Sequence, residues 1–387
     1  MKKVLWLASW YPNEREPFSG DFIQRHAEAV SMYQPVKVIY VGKQADHSIG
    51  ELARKVENKT GNLQEHIEYY TIRKRYLKKW RSLYSYFKIH AEIIKDLKKN
   101  DGLPDLVHVH VAMKAGLIAL YMKWKYKIPY VLTEHWTGYY PQSKDSLFNK
   151  SVFERYLVRL IIRNASVLLP VSQALGDQIS QNWARIPFRK ISNVVDTRFF
   201  YRTKYRKPHP FRFIHISSLL YQKNPEGIIN CFIHLLKSGH NAELVLVGPL
   251  NTSVNKLLNL HASESKKFRT TGEISYEEVG NELRNADALI MFSYYENMPC
   301  VILEALCSGL PVIASQVGGI PEVINPENGI LVAAGNEQML LEAMQNMLAN
   351  YNSFECGVNS LTASATYSYE KVGKEIVQVY EEILAVK

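Results

Sequence analysis

Ser293-Tyr294-Tyr295-Glu296-Asn297-Met298-Pro299-Cys300-Val301-Ile302-Leu303-Glu304-Ala305-Leu306-Cys307-Ser308-Gly309-Leu310-Pro311 lies between two short apolar runs, Ala288–Phe292 and Val312–Ala314. The flanking runs are short enough for buried strands, and the middle reads as a helix near Pro299–Ser308. Pro299 stands where a first helical turn tolerates proline, and Gly309 and Pro311 mark the stop. The unit is therefore strand, loop, helix, strand. Glu296 ends the loop, and Glu304 follows eight positions later, about two helical turns on. Backbone N–H groups of Asn297, Met298 and Cys300 at the helix start would face a phosphate or sugar oxygens.

The same rhythm runs outward in both directions. In the first half, strands are expected at Val4–Ala8, Val36–Val41, Glu68–Ile72, Leu106–Val111, Tyr130–Thr133, Val167–Pro170 and Ile191–Val194. Helices are expected at Gly20–Met32, Tyr84–Lys99, Lys114–Trp124, Phe153–Arg163 and Ser172–Ser180. Tyr201–Pro210 is polar and proline-containing, and reads as a linker. After it come strands at Phe211–Ile216, Glu243–Val247, Phe268–Thr271, Ala288–Phe292 and Val312–Ala314, with helices at Pro225–Leu236, Tyr276–Arg284, Pro299–Ser308 and Glu337–Ala349. Tyr369–Leu384 carries apolar residues at helical spacing. β-Branched runs separated by helices predict parallel sheets covered on both faces. The expected fold class is α/β, with two doubly wound Rossmann-like domains. Residues 1–200 form the first and 201–368 the second, the helix of 369–387 packing back on the first. Such domains bind ligands where strand C-termini meet helix N-termini, here in a cleft between the two.

Composition sets bounds. With 387 residues, 47% of them hydrophobic, two moderate cores are affordable. No apolar stretch approaches the roughly 20 residues of a membrane helix. The start, Met1 to Pro12, has the flavour of a signal peptide but reads better as a first strand. Cys231, Cys300, Cys307 and Cys356 form no C-x-x-C pair, which suits a reducing cytoplasm. Residues 1–200 hold 32 Lys and Arg against 18 Asp and Glu, a charge of +14; residues 201–387 carry −4. A basic first half suggests an anionic partner: nucleic acid, membrane lipid or a phosphorylated acceptor.

With these landmarks in order, the chain resembles glycosyltransferase family four, a GT-B family of retaining, nucleotide-sugar-dependent enzymes. The segment from Glu296 to Glu304 resembles its E-x7-E element. Ser19-Gly20-Asp21 resembles the glycine turn after the first strand, and Pro104-Asp105-Leu106-Val107-His108-Val109-His110 the P-D-x-x-H-x-H strand. Thr133-Glu134-His135 resembles the T-x-H strand end, and Asn193-Val194-Val195-Asp196 with Phe199 the N-G-V-D-x-x-x-F signature. Lys223-Asn224 and Gly318-Gly319-Ile320-Pro321-Glu322 complete the set.

The resemblance implies two domains facing across a cleft and a role for each matched residue. Glu304 would hold the donor ribose, Glu296 the hydroxyls of the transferred sugar, and Lys223 the diphosphate. Backbone at Gly20 would approach the diphosphate, Ile274 would help hold the base, and His135 would sit by the donor sugar and the attacking hydroxyl. Asn297 and Met298 join the donor-binding set. Two positions depart from the family: Ser218 stands where it usually carries arginine, and Val195 where it carries glycine. No Asp-x-Asp metal motif is present, so no metal and no cofactor beyond the nucleotide-sugar co-substrate are expected.

Plainer explanations compete at several positions. Glu296 alone suits a helix N-terminus, and Glu304 alone could belong to a structural ion pair. His135 alone could be a core histidine, and Lys223 a solvated lysine. His108 and His110 share a strand face with no third ligand at a supporting spacing, which favours packing over zinc. Arg73–Lys88 interleaves cations with Trp, Tyr and Phe, which suits an anionic membrane surface or a lipid-linked acceptor, and equally a solvated helix with snorkelling lysines. No nucleic-acid motif accompanies it. The expectation is a cytoplasmic hexosyltransferase, peripheral at the inner face of the plasma membrane, using a saccharide or lipid-linked acceptor in cell-surface polysaccharide synthesis. The rivals are a GT-B phosphorylase, a nucleotide-sugar epimerase and a donor-binding subunit of weak catalysis.

Overall fold

Strands with no polar face can only be stable when both sides are covered, and the central strands of this chain have none. In the computed structural model, which describes residues 2–14, 16–43, 55–71, 78–203 and 210–385, β1 (Val4–Ala8) is buried at every position. The chain divides into two units. One comprises Met1–Val171, Gly176–Val194 and Tyr369–Lys387; the other comprises Ser172–Leu175 and Val195–Ser368.

Among the described residues the first unit is built on seven strands: β1, β2 (Val36–Lys43), β3 (Lys55–Thr60), β4 (Leu63–Tyr70), β5 (Leu106–His110), β6 (Tyr130–Glu134) and β7 (Leu168–Pro170). They lie in the order β3-β4-β2-β1-β5-β6-β7. All pairs are parallel except the β3–β4 hairpin. Helices α1 (Asp21–Ser31), α2 (Lys78–Asn100), α3 (Ala115–Tyr126), α4 (Val152–Asn164) and α5 (Gln173–Asn182) connect them. The start of α4 is fixed by a capping box between Ser151 and Glu154.

Among its described residues the second unit has six strands, all parallel: β8 (Phe211–Ile216), β9 (Ala242–Val247), β10 (Phe268–Gly272), β11 (Ala288–Met291), β12 (Val312–Ser315) and β13 (Gly329–Val332). Their order is β10-β9-β8-β11-β12-β13. Helices α6 (Pro225–Lys237), α7 (Thr252–Leu260), α8 (Tyr276–Arg284), α9 (Cys300–Cys307), α10 (Glu337–Ala349) and α11 (Cys356–Tyr367) accompany them. The chain ends with α12 (Tyr369–Ala385). Its stripe Val372, Ile376, Val379 and Tyr380 is buried in the first unit's core, and Arg189 pairs with Glu382 at 2.7 Å.

Several elements differ from the sequence expectation. Ile191–Val194 is not a strand: it runs irregularly beyond β7, tied by Ile191 N–H to the Pro170 carbonyl at 3.0 Å. The strand expected from Glu68 starts at Leu63 and pairs with the polar β3, whose Lys-Val-Glu-Asn-Lys-Thr sequence lacks an apolar run. Helix α2 begins at Lys78. Pro299 occupies the N-cap of α9 instead of its first turn. β13, α7 and α11 are not among the elements expected from the sequence. Residues 204–209 of the linker and 72–77 of the basic-aromatic stretch lie outside the described residues.

Candidate functional site

In a doubly wound sheet, ligands settle beyond the strand C-termini where the strand order reverses. In the second unit that point lies between β8 and β11, because the chain goes from β8 outward to β9 and β10 and then returns to β11. The loops leaving these two strands carry Lys223 and Glu296. Lys223 Nζ donates to Glu296 Oε1 at 2.5 Å, with both groups largely withdrawn from solvent. The loops are laced together beneath the pair. Tyr294 N–H donates to the Gln222 carbonyl, and Gln222 Nε2 to the Tyr295 carbonyl, each at 2.8 Å. The ion pair thus sits on a rigid support.

Glu296, Asn297, Met298 and Glu304 are all buried. Asn297 Oδ1 accepts from Ser172 Oγ at 3.1 Å, and its carbonyl accepts from Gly319 N–H at 2.7 Å. Gly318 has φ +54°, and a Cβ there would lie 2.0 Å from the Glu296 carbonyl oxygen. The glycine pair therefore lets a turn press against the backbone that carries Glu296. Glu322 of the same motif accepts from the N–H groups of Gln173 and Ala174 at 3.0 and 2.9 Å, a helix-capping role. Ile274 is half-buried in the turn between β10 and α8, two strands from Lys223 in the sheet order. At about 4.8 Å per strand, that separation is about 10 Å, a span suited to a nucleoside diphosphate.

A residue with no motif behind it supports the lysine loop. His215 Nδ1 meets the Ile290 carbonyl and its Nε2 meets Ser217 Oγ, both at 2.8 Å. A carbonyl can only accept, so Nδ1 carries the proton and Nε2 receives the serine hydroxyl. Ser217 Oγ in turn accepts from Leu219 N–H at 3.0 Å, where the chain takes φ +52° on its way to Lys223. Burial lowers the His215 pKa to about 4, which keeps the relay neutral. Ser218, in the place of the family arginine, is exposed.

The first unit holds the other two expected residues. Gly20 caps α1 at φ +70°, and a Cβ there would lie 2.6 Å from the Trp10 carbonyl carbon. The chain's own backbone thus already demands glycine. His135 is buried at the end of β6, its Nε2 3.4 Å from His110 Nδ1, with Phe22 and His26 against its ring. His108 is satisfied by Tyr380 OH at 2.5 Å and Thr133 Oγ1 at 2.6 Å. Burial pushes the pKa values of His108, His110 and His135 well down. Among the described residues no cluster of His, Cys, Asp or Glu could hold a metal ion.

Glu134 escaped the sequence argument. It accepts from Tyr139 OH and Ala112 N–H, each at 2.7 Å, and burial raises its pKa to about 7. Its only sequence signal was a carboxylate inside a strand end otherwise destined for burial.

Comparison with known proteins agrees with this geometry. Residues 197–356 match the family model for glycosyl transferases group 1, and residues 43–199 that for glycosyltransferase family 4. The putative teichuronic acid biosynthesis glycosyltransferase TuaC of Bacillus subtilis (strain 168) is 25% identical over 364 residues, 88% of each chain. Among solved structures, sucrose-phosphate synthase of Thermosynechococcus elongatus superposes with a TM-score of 0.76 at 17% identity, covering all of both chains. Anabaena Alr3699/HepE in complex with UDP gives 0.72 at 17% identity, covering 98% of this chain and all of that one. The chain belongs to glycosyltransferase family 4, the GT-B enzymes that transfer a sugar from a nucleotide sugar with retention of configuration.

Proposed function

We propose that this enzyme moves a hexose from a UDP-sugar to a saccharide or lipid-linked acceptor in cell-surface polysaccharide assembly. The observation that carries the donor side is the Lys223–Glu296 pair at the strand-order reversal of the second unit. The base is inferred from the UDP held by HepE, and the pathway from the teichuronic acid relative.

In this account the diphosphate takes Lys223 away from Glu296. The carboxylate then accepts from hydroxyls of the transferred sugar, while Glu304 accepts from the ribose and the Ile274 backbone holds the base. Lys223 neutralises charge on the leaving group, so transfer proceeds without a divalent cation. Positioning and electrostatics lower the barrier as the anomeric carbon becomes oxocarbenium-like. The departing phosphate takes the acceptor proton on the same face, so no protein base is assigned. His135, held neutral by burial, is the residue we assign to the acceptor hydroxyl.

On the acceptor side, α2 presents an exposed aromatic and cationic face. Trp80 and Tyr84 are each 70% exposed, Leu83 is exposed beside them, and Arg81 and Lys88 flank them. Interfacial aromatics among cations suit an anionic bilayer surface, as a cytoplasmic enzyme acting on lipid-linked saccharides would need. Among the described residues no helix is long and apolar enough to cross a membrane. The test is transfer of labelled hexose from UDP-sugars to polyprenyl-diphosphate saccharides in anionic vesicles, with Trp80→Ser and Tyr84→Ser as variants. Labelled product of retained configuration, with vesicle-dependent turnover lost in the variants, is expected. No product from any UDP-sugar would overturn the donor assignment, and vesicle-independent turnover the membrane role.

A further inference from the structure

Glu134 stands at the C-terminal end of β6, one residue before His135, and is wholly buried. A carboxyl group in that position costs free energy unless donors surround it. Here they come from two directions. Oε1 accepts from Ala112 N–H, in the turn between β5 and α3, at 2.7 Å. The same oxygen accepts from Tyr139 OH, also at 2.7 Å, in the 3-10 turn Thr137–Tyr139 that follows His135. Burial raises the Glu134 pKa to about 7, and Tyr139 with the main-chain N–H groups of Ala112, Trp136 and His135 pulls against that rise. One oxygen therefore ties the loop leaving β6 to the loop leaving β5.

Both loops are themselves anchored, so the carboxyl group joins two fixed supports. On the β5 side, Val111 N–H donates to the Thr133 carbonyl, and Ser9 Oγ reaches the Val111 carbonyl, each at 2.9 Å. On the β6 side, Gln178 Nε2 of α5 donates to the Tyr139 carbonyl at 2.9 Å, and the Tyr139 ring meets Trp183 edge-on at 6.2 Å. The His135 ring has contacts of its own. Its Nε2 lies 3.4 Å from His110 Nδ1, and the rings of Phe22 and His26 are centred 4.6 and 5.4 Å away. These contacts hold the imidazole only where the main chain puts it. That main chain runs from Thr133, paired with β5, to Tyr139, and Glu134 binds the far end of the span to the near one. A leucine would fill the same space without the cost of burying a carboxyl group.

We infer that Glu134 is a positioning residue for His135: it fixes the main chain that presents the imidazole to the acceptor hydroxyl, and it affects transfer through that ring. The inference rests on the assignment of His135 to the acceptor hydroxyl in the proposed function. The acting group is the Oε1 acceptor, since both of its donors are neutral. Glutamine keeps such an oxygen and leucine does not.

The experiment is a double-mutant cycle in the full-length protein, with Glu134→Leu and His135→Ala made singly and together and Glu134→Gln and Tyr139→Phe as milder variants. Hexose transfer from a UDP-sugar is measured alongside imidazole 15N spectra, the His135 signals being assigned by their loss in His135→Ala. Glu134→Leu should lower kcat at least about tenfold, as a small displacement of a positioned group does, with the KM for the UDP-sugar unchanged. Glu134→Gln should stay near wild type, and Tyr139→Phe, which removes one of the two donors, should fall between. In the His135→Ala background Glu134→Leu should slow transfer no further. The His135 15N signals should move in Glu134→Leu and hold in Glu134→Gln. A folded Glu134→Leu with wild-type kcat, or losses that multiply in the double variant, overturns the inference and leaves the role of His135 standing. Wild-type kcat in His135→Ala overturns that role and the inference with it. Where Glu134→Leu does not fold, Tyr139→Phe takes its place in the cycle, with the same non-additivity expected. His135 signals unmoved in both variants overturn the inference whether or not an acceptor has been found.

Discussion

Breaking the Lys223–Glu296 pair separates a structural ion pair from a ligand-binding one. The side chains are 20% and 6% exposed and 2.5 Å apart. Removing one partner of a fully buried pair costs about 3–5 kcal/mol, while exposed pairs contribute at most about 1 kcal/mol. This pair lies between those limits, so Glu296→Gln or Lys223→Met should each cost about 2–3 kcal/mol. For a unit of this size 1 kcal/mol moves Tm by about 2–4 °C, and the loss should be about 5–10 °C in calorimetry. The double variant should cost less than the sum, because neither charge is left stranded. Nucleotide binding then divides the two residues. Glu296→Gln frees Lys223, so UDP affinity should hold or improve while transfer falls. Lys223→Met removes a charge-assisted contact of about 1.5–3 kcal/mol, so UDP affinity should fall by at least tenfold. Additive melting losses together with unchanged UDP binding in both variants would refute the reasoning.

Acid should destabilise the protein more than its carboxylates alone would suggest. His26, His90 and His215 have pKa values lowered to about 4 by burial. Their stabilisation is present above the ordinary histidine value and lost as pH falls through 4, about 2 kcal/mol each by pH 5. Glu134, raised to about 7, works the other way: its contribution is present at low pH and lost as pH rises through 7, returning about 2 kcal/mol between pH 7.5 and 5. The histidines outweigh it, so melting temperature should fall between pH 7.5 and 5; a rise would show that the histidines are not buried neutral. For the chemistry, EDTA should leave hexose transfer intact, and activity abolished by EDTA and restored by magnesium or manganese would contradict Lys223 as the group that neutralises the diphosphate.

The parallel sheets were legible because β1, β5 and β6 are buried on both faces and so keep unbroken apolar runs. β3 was not, because an edge strand paired on one side needs no apolar face. Ile191–Val194 misled for the converse reason: its apolar residues are buried as irregular chain against β7, and burial alone does not make a strand. At the site, Glu296 stood out through its spacing to Glu304 and Lys223 through the family resemblance, and the structure pairs Lys223 with Glu296. What spacing could not convey was why Gly318 is glycine, since its neighbour is the Glu296 backbone, 22 residues earlier. The supports His215 and Glu134 were invisible for a related reason. Each works through partners such as Ile290 and Ala112 that only folding brings near.

The proposed function stands on nucleotide-sugar binding in the second unit through Glu304, Glu296 and Lys223. A thermal-shift panel of UDP-, GDP- and ADP-hexoses on the wild type and on Glu304→Gln tests it most directly. A donor at 100 times its Kd should stabilise the wild type by about 2.7 kcal/mol, a rise of several degrees, with UDP-hexoses strongest and the shift reduced in Glu304→Gln. No shift with any donor, or the same shift in Glu304→Gln as in the wild type, would contradict it.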